Sequence, residues 1–178
     1  MPFTISQIKD LAESYLSETS MDEAIDGANA IRWVNECLRL HVSGKAWLET
    51  SQGYDDAVAG TWYDLPVDFI RSVDVTMDGD TYTQYAIRSR RIKFLHDGNY
   101  TLNYVYHPAP LTTVSAELPL QEIFLYPMAK FVLARHLATD PDRKQAAEQA
   151  MMEFQVDLKA LFDDVEFSDE VFQVKEVW

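Results

Sequence analysis

The stretch at residues 117–162, ELPLQEIFLYPMAKFVLARHLATDPDRKQAAEQAMMEFQVDLKALF, decides the fold. It reads as one helical hairpin. Leu118-Pro119 opens it, and a short turn or helix over residues 120–126 leads into Pro127. Met128, Phe131, Val132 and Leu137 then recur at the three-and-four spacing of a helix with one apolar face. Proline suits the first helical position, where no backbone donor is needed, so the pattern predicts a helix over 127–138. Thr139-Asp140-Pro141-Asp142 interrupts it, with Asp140 as the cap of the next helix and Pro141 at its first position. That helix, 141–162, carries Ala146, Ala150, Phe154, Val156, Leu158, Leu161 and Phe162. Two helices joined this tightly fold back on each other.

Upstream of the hairpin the chain needs partners for it. A first helix is predicted at 4–16, capped by Thr4 or Ser6, with Ile5, Ile8, Leu11, Tyr15 and Leu16 as its apolar stripe. A second runs over 22–42, with Ala24, Ile31, Val34, Leu38 and Val42 on one face and Gly44 just past its end. Residues 47–63 lack helical period. Gly53, Gly60 and Asp55-Asp56 mark them as loop, or as an edge strand ending at Trp62-Tyr63. From Arg71 the period becomes two, as in a half-buried strand: Val73, Val75 and Met77 alternate with polar residues. Asp78-Gly79 and Asp97-Gly98 are turn signals. They separate runs at 81–88, 91–94 and 99–106, the last with Tyr100, Leu102, Tyr104 and Tyr106 on one face. Pro108 and Pro110 then stop the pairing, because proline has no N–H for the ladder. The sequence therefore predicts an α+β chain that is mostly α. A four-helix bundle carries a small inserted antiparallel β-meander at 62–106, whose aromatic face must rest on the helices or on another subunit. One domain is expected over 1–162, followed by an extended C-terminal arm at 163–178.

Composition narrows the function classes. Fifteen Lys and Arg against 29 Asp and Glu give a net charge of −14. Nucleic-acid affinity rests on neutralising phosphates, so this balance argues against it, although an acidic wall suits a conduit along which DNA must slide. No apolar run approaches the roughly 20 residues that span a bilayer, and the N-terminus shows no signal-peptide pattern. The one cysteine, Cys37, excludes an internal disulfide. It lies in an apolar helical run and reads as a small buried residue.

Signals of chemistry are weak. His41, His96, His107 and His136 lack metal-ligand spacing. His41 and His136 sit near helix C-termini, where positive charge is favourable. Asp78-Gly79-Asp80 reads as a hairpin turn, not as a calcium loop. The expectation is no enzyme, no metal and no cofactor. Two features point to partners instead. Arg88, Arg90, Arg91 and Lys93 cluster at a β-turn, against the global charge, either as a solvated hairpin edge that its charge protects from stray pairing or as a subunit or tail contact. In the arm, Val165, Phe167, Val171, Phe172, Val174 and Trp178 are interleaved with acidic residues, as in a segment that docks on a partner or in a packed terminus that covers the bundle.

One family shares this pattern. Leu118-Pro119, the run PMAKFVLAR at 127–135, Asp140 and the Ala-rich helix to Leu161 resemble the C-terminal half of bacteriophage head-tail adaptor (connector) proteins. The run YDLPVDF at 63–69, the following hairpins and His107-Pro108 are similar to that family's middle, and the two opening helices fit its start. The resemblance covers about 5–162. It implies a virion protein at the head-tail interface, made in the host cytoplasm and assembled as a roughly twelve-fold ring beneath the portal. Such a ring extends the DNA channel without sequence-specific binding and gives the tail or nozzle a docking surface. The family's C-terminal segment commonly reaches the portal, which assigns portal docking to residues 165–178. The alternative readings are another neck or tail-completion protein, or a small acidic regulator that mimics DNA.

Overall fold

Helix-forming and strand-forming segments alternate in blocks along this chain. A computed structural model describes residues 2–18, 24–43, 45–46 and 48–163. The order is α1 (Ile5–Glu18), α2 (Gly27–Cys37), seven strands, then α3 (Leu125–Leu137) and α4 (Lys144–Asp163). The fold is α+β, with 44% helix and 27% strand. The β-region is thus sizeable, where the sequence predicts a small insertion. It forms two sheets, not one meander, because residues 82–84 leave one sheet and cross to the other. The chain divides into two compact units. Among the described residues, one spans 2–6 and 26–121, and the other spans 7–18, 24–25 and 122–163. The predicted four-helix bundle is divided accordingly, since α2 belongs to the unit that contains the sheets.

In the helical unit, α3 and α4 lie antiparallel. Phe131 meets Phe154 edge-on at 5.1 Å and Phe124 meets Phe162 at 5.9 Å. Between those pairs, Lys130 reaches Asp157 at 2.8 Å and Glu153 at 3.6 Å. Helix α3 buries Pro127, Met128, Ala129, Phe131, Val132, Ala134 and Leu137, so it is enclosed on most sides. It begins two residues earlier than predicted, with Pro127 third in the helix. The first N–H groups of a helix have no intrahelical partner, so proline costs little there either. Asp140 accepts the Asp142 N–H at 3.0 Å and caps a 3₁₀ turn, Pro141–Arg143, that feeds α4. On α1, Ile8, Ala12 and Leu16 are buried, whereas Leu11 and Tyr15 are only half-buried. Ala12 takes the place the pattern gives to Leu11. Glu13 binds Lys9 at 2.9 Å and accepts the Ile25 N–H at 2.6 Å.

The other unit is built on two antiparallel sheets. The first orders its strands β1 (Glu49–Ala57), β7 (Gly98–Tyr106), β3 (Phe69–Met77), β4 (Asp80–Thr81). The second orders them β2 (Trp62–Asp64), β6 (Arg91–Phe94), β5 (Tyr85–Arg88). Residues 47–63, read as loop or as an edge strand ending at Trp62-Tyr63, hold two strands, and the edge strand β1 ends at Ala57. Its residues are almost all exposed on both faces, so it carries no hydrophobic alternation. What makes it a strand is pairing with β7 from Glu49↔Val105 to Tyr54↔Tyr100. The aromatic face does not wait for helices or another subunit. Phe94 and Ile92 of the second sheet pack on Tyr100, Leu102 and Tyr104 of the first. Phe94 and Tyr100 stack at 3.9 Å with planes 1° apart, and Tyr54 meets Phe94 edge-on at 5.5 Å.

Helix α2 opens on Asp26, whose carboxylate accepts the Asn29 N–H at 3.1 Å. It continues as a π-helical turn, Leu38–Val42. The Asn35 amide exchanges two 2.8 Å hydrogen bonds with the backbone of Leu111, which pins the proline-bearing segment after β7 to this helix. Ile5 and Ser6 donate their N–H groups to the carbonyls of Ala116 and Val114. Two donors that a helix start leaves unpaired are satisfied in that way.

Candidate interaction surface

Strand register assigns each turn of the β unit to one of two ends. Arg91 pairs with Asp64 and Arg88, whereas Phe94 pairs with Tyr85. One end of the unit therefore carries the Ser89-Arg90 turn and the loop between β2 and β3. The other carries the β1–β2 loop, the Asp78-Gly79 turn and the loop before Gly98.

At the first end the chain accepts backbone strain. Ser89 and Arg90 have φ of 51° and 61°, the left-handed values of a two-residue hairpin that Asn-Gly adopts more easily. The return is a clamp. The Arg90 guanidinium donates to the carbonyls of Pro66 and Val67, each at 3.0 Å, and the Arg90 carbonyl accepts the Leu65 N–H at 3.0 Å. Leu65 is buried and anchors the loop, while Val67 stands 95% exposed at its tip. No sequence pattern marks Val67 as projecting. The Pro66 that fixes φ beside it is the available signal.

The four basic residues assigned to a contact have distinct fates. Arg90 is spent on the clamp. Arg91 pairs with Asp64 at 3.1 Å, both side chains being largely exposed. Lys93 lies over the Trp62 ring, 5.0 Å from its centroid. Arg88 sits directly across the ladder from Arg91. Like charges placed so are mutually destabilising, and among the described residues no ion pair holds Arg88. The cluster is therefore one surface, but Arg88 is its least engaged cation. The docking residues Val165, Phe167, Val171, Phe172, Val174 and Trp178 lie outside the described residues.

The opposite end is not marked as one surface by any local sequence pattern. Asp55, Asp56, Asp78, Asp80 and Asp97 come together there from three connections, with no Lys or Arg in residues 53–60, 77–81 or 95–99. Val58 and Leu95, each 56% exposed, share that end. Asp56, Ala59 and Asn99 are tied in place: Asn99 accepts the Asp56 N–H at 2.8 Å and Asp97 the Ala59 N–H at 2.6 Å. Asp78-Gly79-Asp80 is a hairpin turn closing β3 on β4.

Groups with chemical potential are enclosed. Ser43 lies 2.9 Å from Nδ1 of His107, a nucleophile–base spacing, yet Ser43 is fully buried. The Asp68 carboxylate accepts from the Tyr104 hydroxyl at 3.2 Å, and only the Asp68 backbone carbonyl receives the His107 N–H. The Ser43–His107 hydrogen bond ties the cap of the π-helical turn to the residue after β7. Burial pushes the Cys37 thiol far up, with the Glu36 carboxylate adding to it. Desolvation lowers His41 against the opposing pull of Glu36. No group of three His, Cys, Asp or Glu among the described residues is arranged to hold a metal ion. Neither a scan against protein-family models nor a search of curated proteins finds a match to this chain.

Proposed function

We propose that this chain is a structural virion protein, a head-to-tail adaptor whose copies form a ring beneath a phage portal, extend its DNA channel and dock the tail. The observation that carries the reading is the order of elements: two helices, a block of antiparallel strands, then a helical hairpin opened by Leu118-Pro119 and turned at Asp140-Pro141. The segments that carry the resemblance over 5–162 follow one another in that same order. The clamped Val67 loop and its cations add support, because a rigid projecting corner suits a subunit contact better than a mobile one. Acidic composition suits a channel wall past which DNA slides. In this reading residues 165–178 reach the portal, with Phe167, Phe172 and Trp178 as anchors. An apolar arm burying about 500 Å² contributes on the order of 10 kcal/mol before ordering costs.

Deleting residues 167–178 tests the assignment. The truncated chain is expected to keep its far-UV circular dichroism and to lose binding to the portal ring. Portal binding equal to that of the full chain would sink it.

A further inference from the structure

The two ends of the β unit are opposite in charge, and each pairs its charge with exposed apolar side chains. The basic corner presents Arg88, at the strand end before the Ser89-Arg90 turn, and the projecting Val67, whose carbonyl Arg90 holds. Asp64 and Asp68 share this corner, but Arg91 engages the first and the Tyr104 hydroxyl the second. The acidic end presents Asp55, Asp56, Asp78, Asp80 and Asp97 around Val58 and Leu95. We infer that the basic corner of one copy seats on the acidic end of a second copy, Val67 entering between Val58 and Leu95. The inference rests on the ring reading above and names the surfaces that would join its subunits.

Charge complementarity selects the occupant. A chain of net charge −14 repels its own kind over most of its surface, so copies meet only where a basic patch faces an acidic one. The two patches lie at opposite ends of one rigid unit, so the contact is head-to-tail. Contacts of that kind propagate into rings when the rotation closes and into filaments when it does not. The strained Ser89-Arg90 turn fits this use. It holds Val67 in place before contact, so little ordering remains to be done on association.

The test is sedimentation velocity of full-length chains over a concentration series, at low salt and at about 1 M salt, where screening shortens to about 3 Å. The wild-type chain is expected to self-associate, with affinity falling at least about tenfold at high salt. Two variants remove one end each: Val67→Glu with Arg88→Glu, and Asp55→Arg with Asp80→Arg. All four positions are exposed, and Arg88→Glu turns the Arg88–Arg91 repulsion into an attractive cross-strand pair, so folding is not at risk there. Each variant alone is expected to remain a monomer. Their equimolar mixture is expected to associate, through the wild-type junction between the second variant's basic corner and the first variant's acidic end and through a second junction whose charges are reversed on both sides. Variants that associate like wild type would overturn the contact and leave the ring reading standing. A wild-type chain monomeric at every concentration would overturn the contact too, with the ring reading then judged on portal binding alone.

Discussion

Truncating Phe94 to alanine is the sharpest perturbation of the β unit. The ring is fully buried, stacked on Tyr100 at 3.9 Å and met edge-on by Tyr54 at 5.5 Å. It joins the two sheets, so its loss opens a cavity that neither sheet can fill by itself. Large-to-small changes at such sites cost about 3–5 kcal/mol, combining lost transfer energy with the cavity left behind. For a unit of about a hundred residues that lowers Tm by at least about 12 °C. Urea denaturation followed by near-UV circular dichroism is the assay, with Ile87→Ala as control. Ile87 is on the neighbouring strand but 38% exposed, and its truncation is expected to cost under about 1.5 kcal/mol. The midpoint should fall for Phe94→Ala with the slope unchanged. A cost below about 1 kcal/mol would refute the face-to-face packing of the sheets.

Other expectations follow from single residues. Asp140→Ala removes the cap on the turn before α4 and is expected to cost about 1 kcal/mol of helical-unit stability by thermal denaturation. Arg90→Ala removes both donors to the Pro66 and Val67 carbonyls, and amide exchange at Leu65, whose N–H binds the Arg90 carbonyl, should accelerate. Burial pushes the Tyr54 and Tyr100 hydroxyls up to about 12 from 10. The unfolded chain therefore releases those protons first, so stability is intact below pH 10 and falls as pH rises toward 12. Absorbance at 295 nm against pH reads both the titration and the unfolding. Cys37, fully buried with its thiol protonated at ordinary pH, should react with a disulfide reagent only at the rate of opening.

How much of this was legible depends on whether a residue's role is local. The helical hairpin was readable because its breaks are local chemistry: Asp140 and Pro141 cap and start a helix whatever lies around them. Strand β1 was not, because Glu49–Ala57 is exposed on both faces and only its pairing with β7 makes it a strand. The run at 81–88 looked continuous, yet it is divided between two sheets by residues 82–84, and nothing local marks the crossing. The alternation at 100–106 marks an aromatic face by itself, whereas its partner, the Ile92 and Phe94 face, is set by how the second sheet packs on the first. The basic cluster was visible as a run of cations. Its acidic counterpart was hidden because it is assembled from turns more than forty residues apart, from Asp55 to Asp97. Register alone brings those turns to one end.

The most direct test of the adaptor reading is the mass of the full-length chain by light scattering after gel filtration, alone and mixed with a portal ring. The account predicts a complex with one copy of the chain per portal subunit. A chain that elutes apart from the portal at every ratio would contradict it.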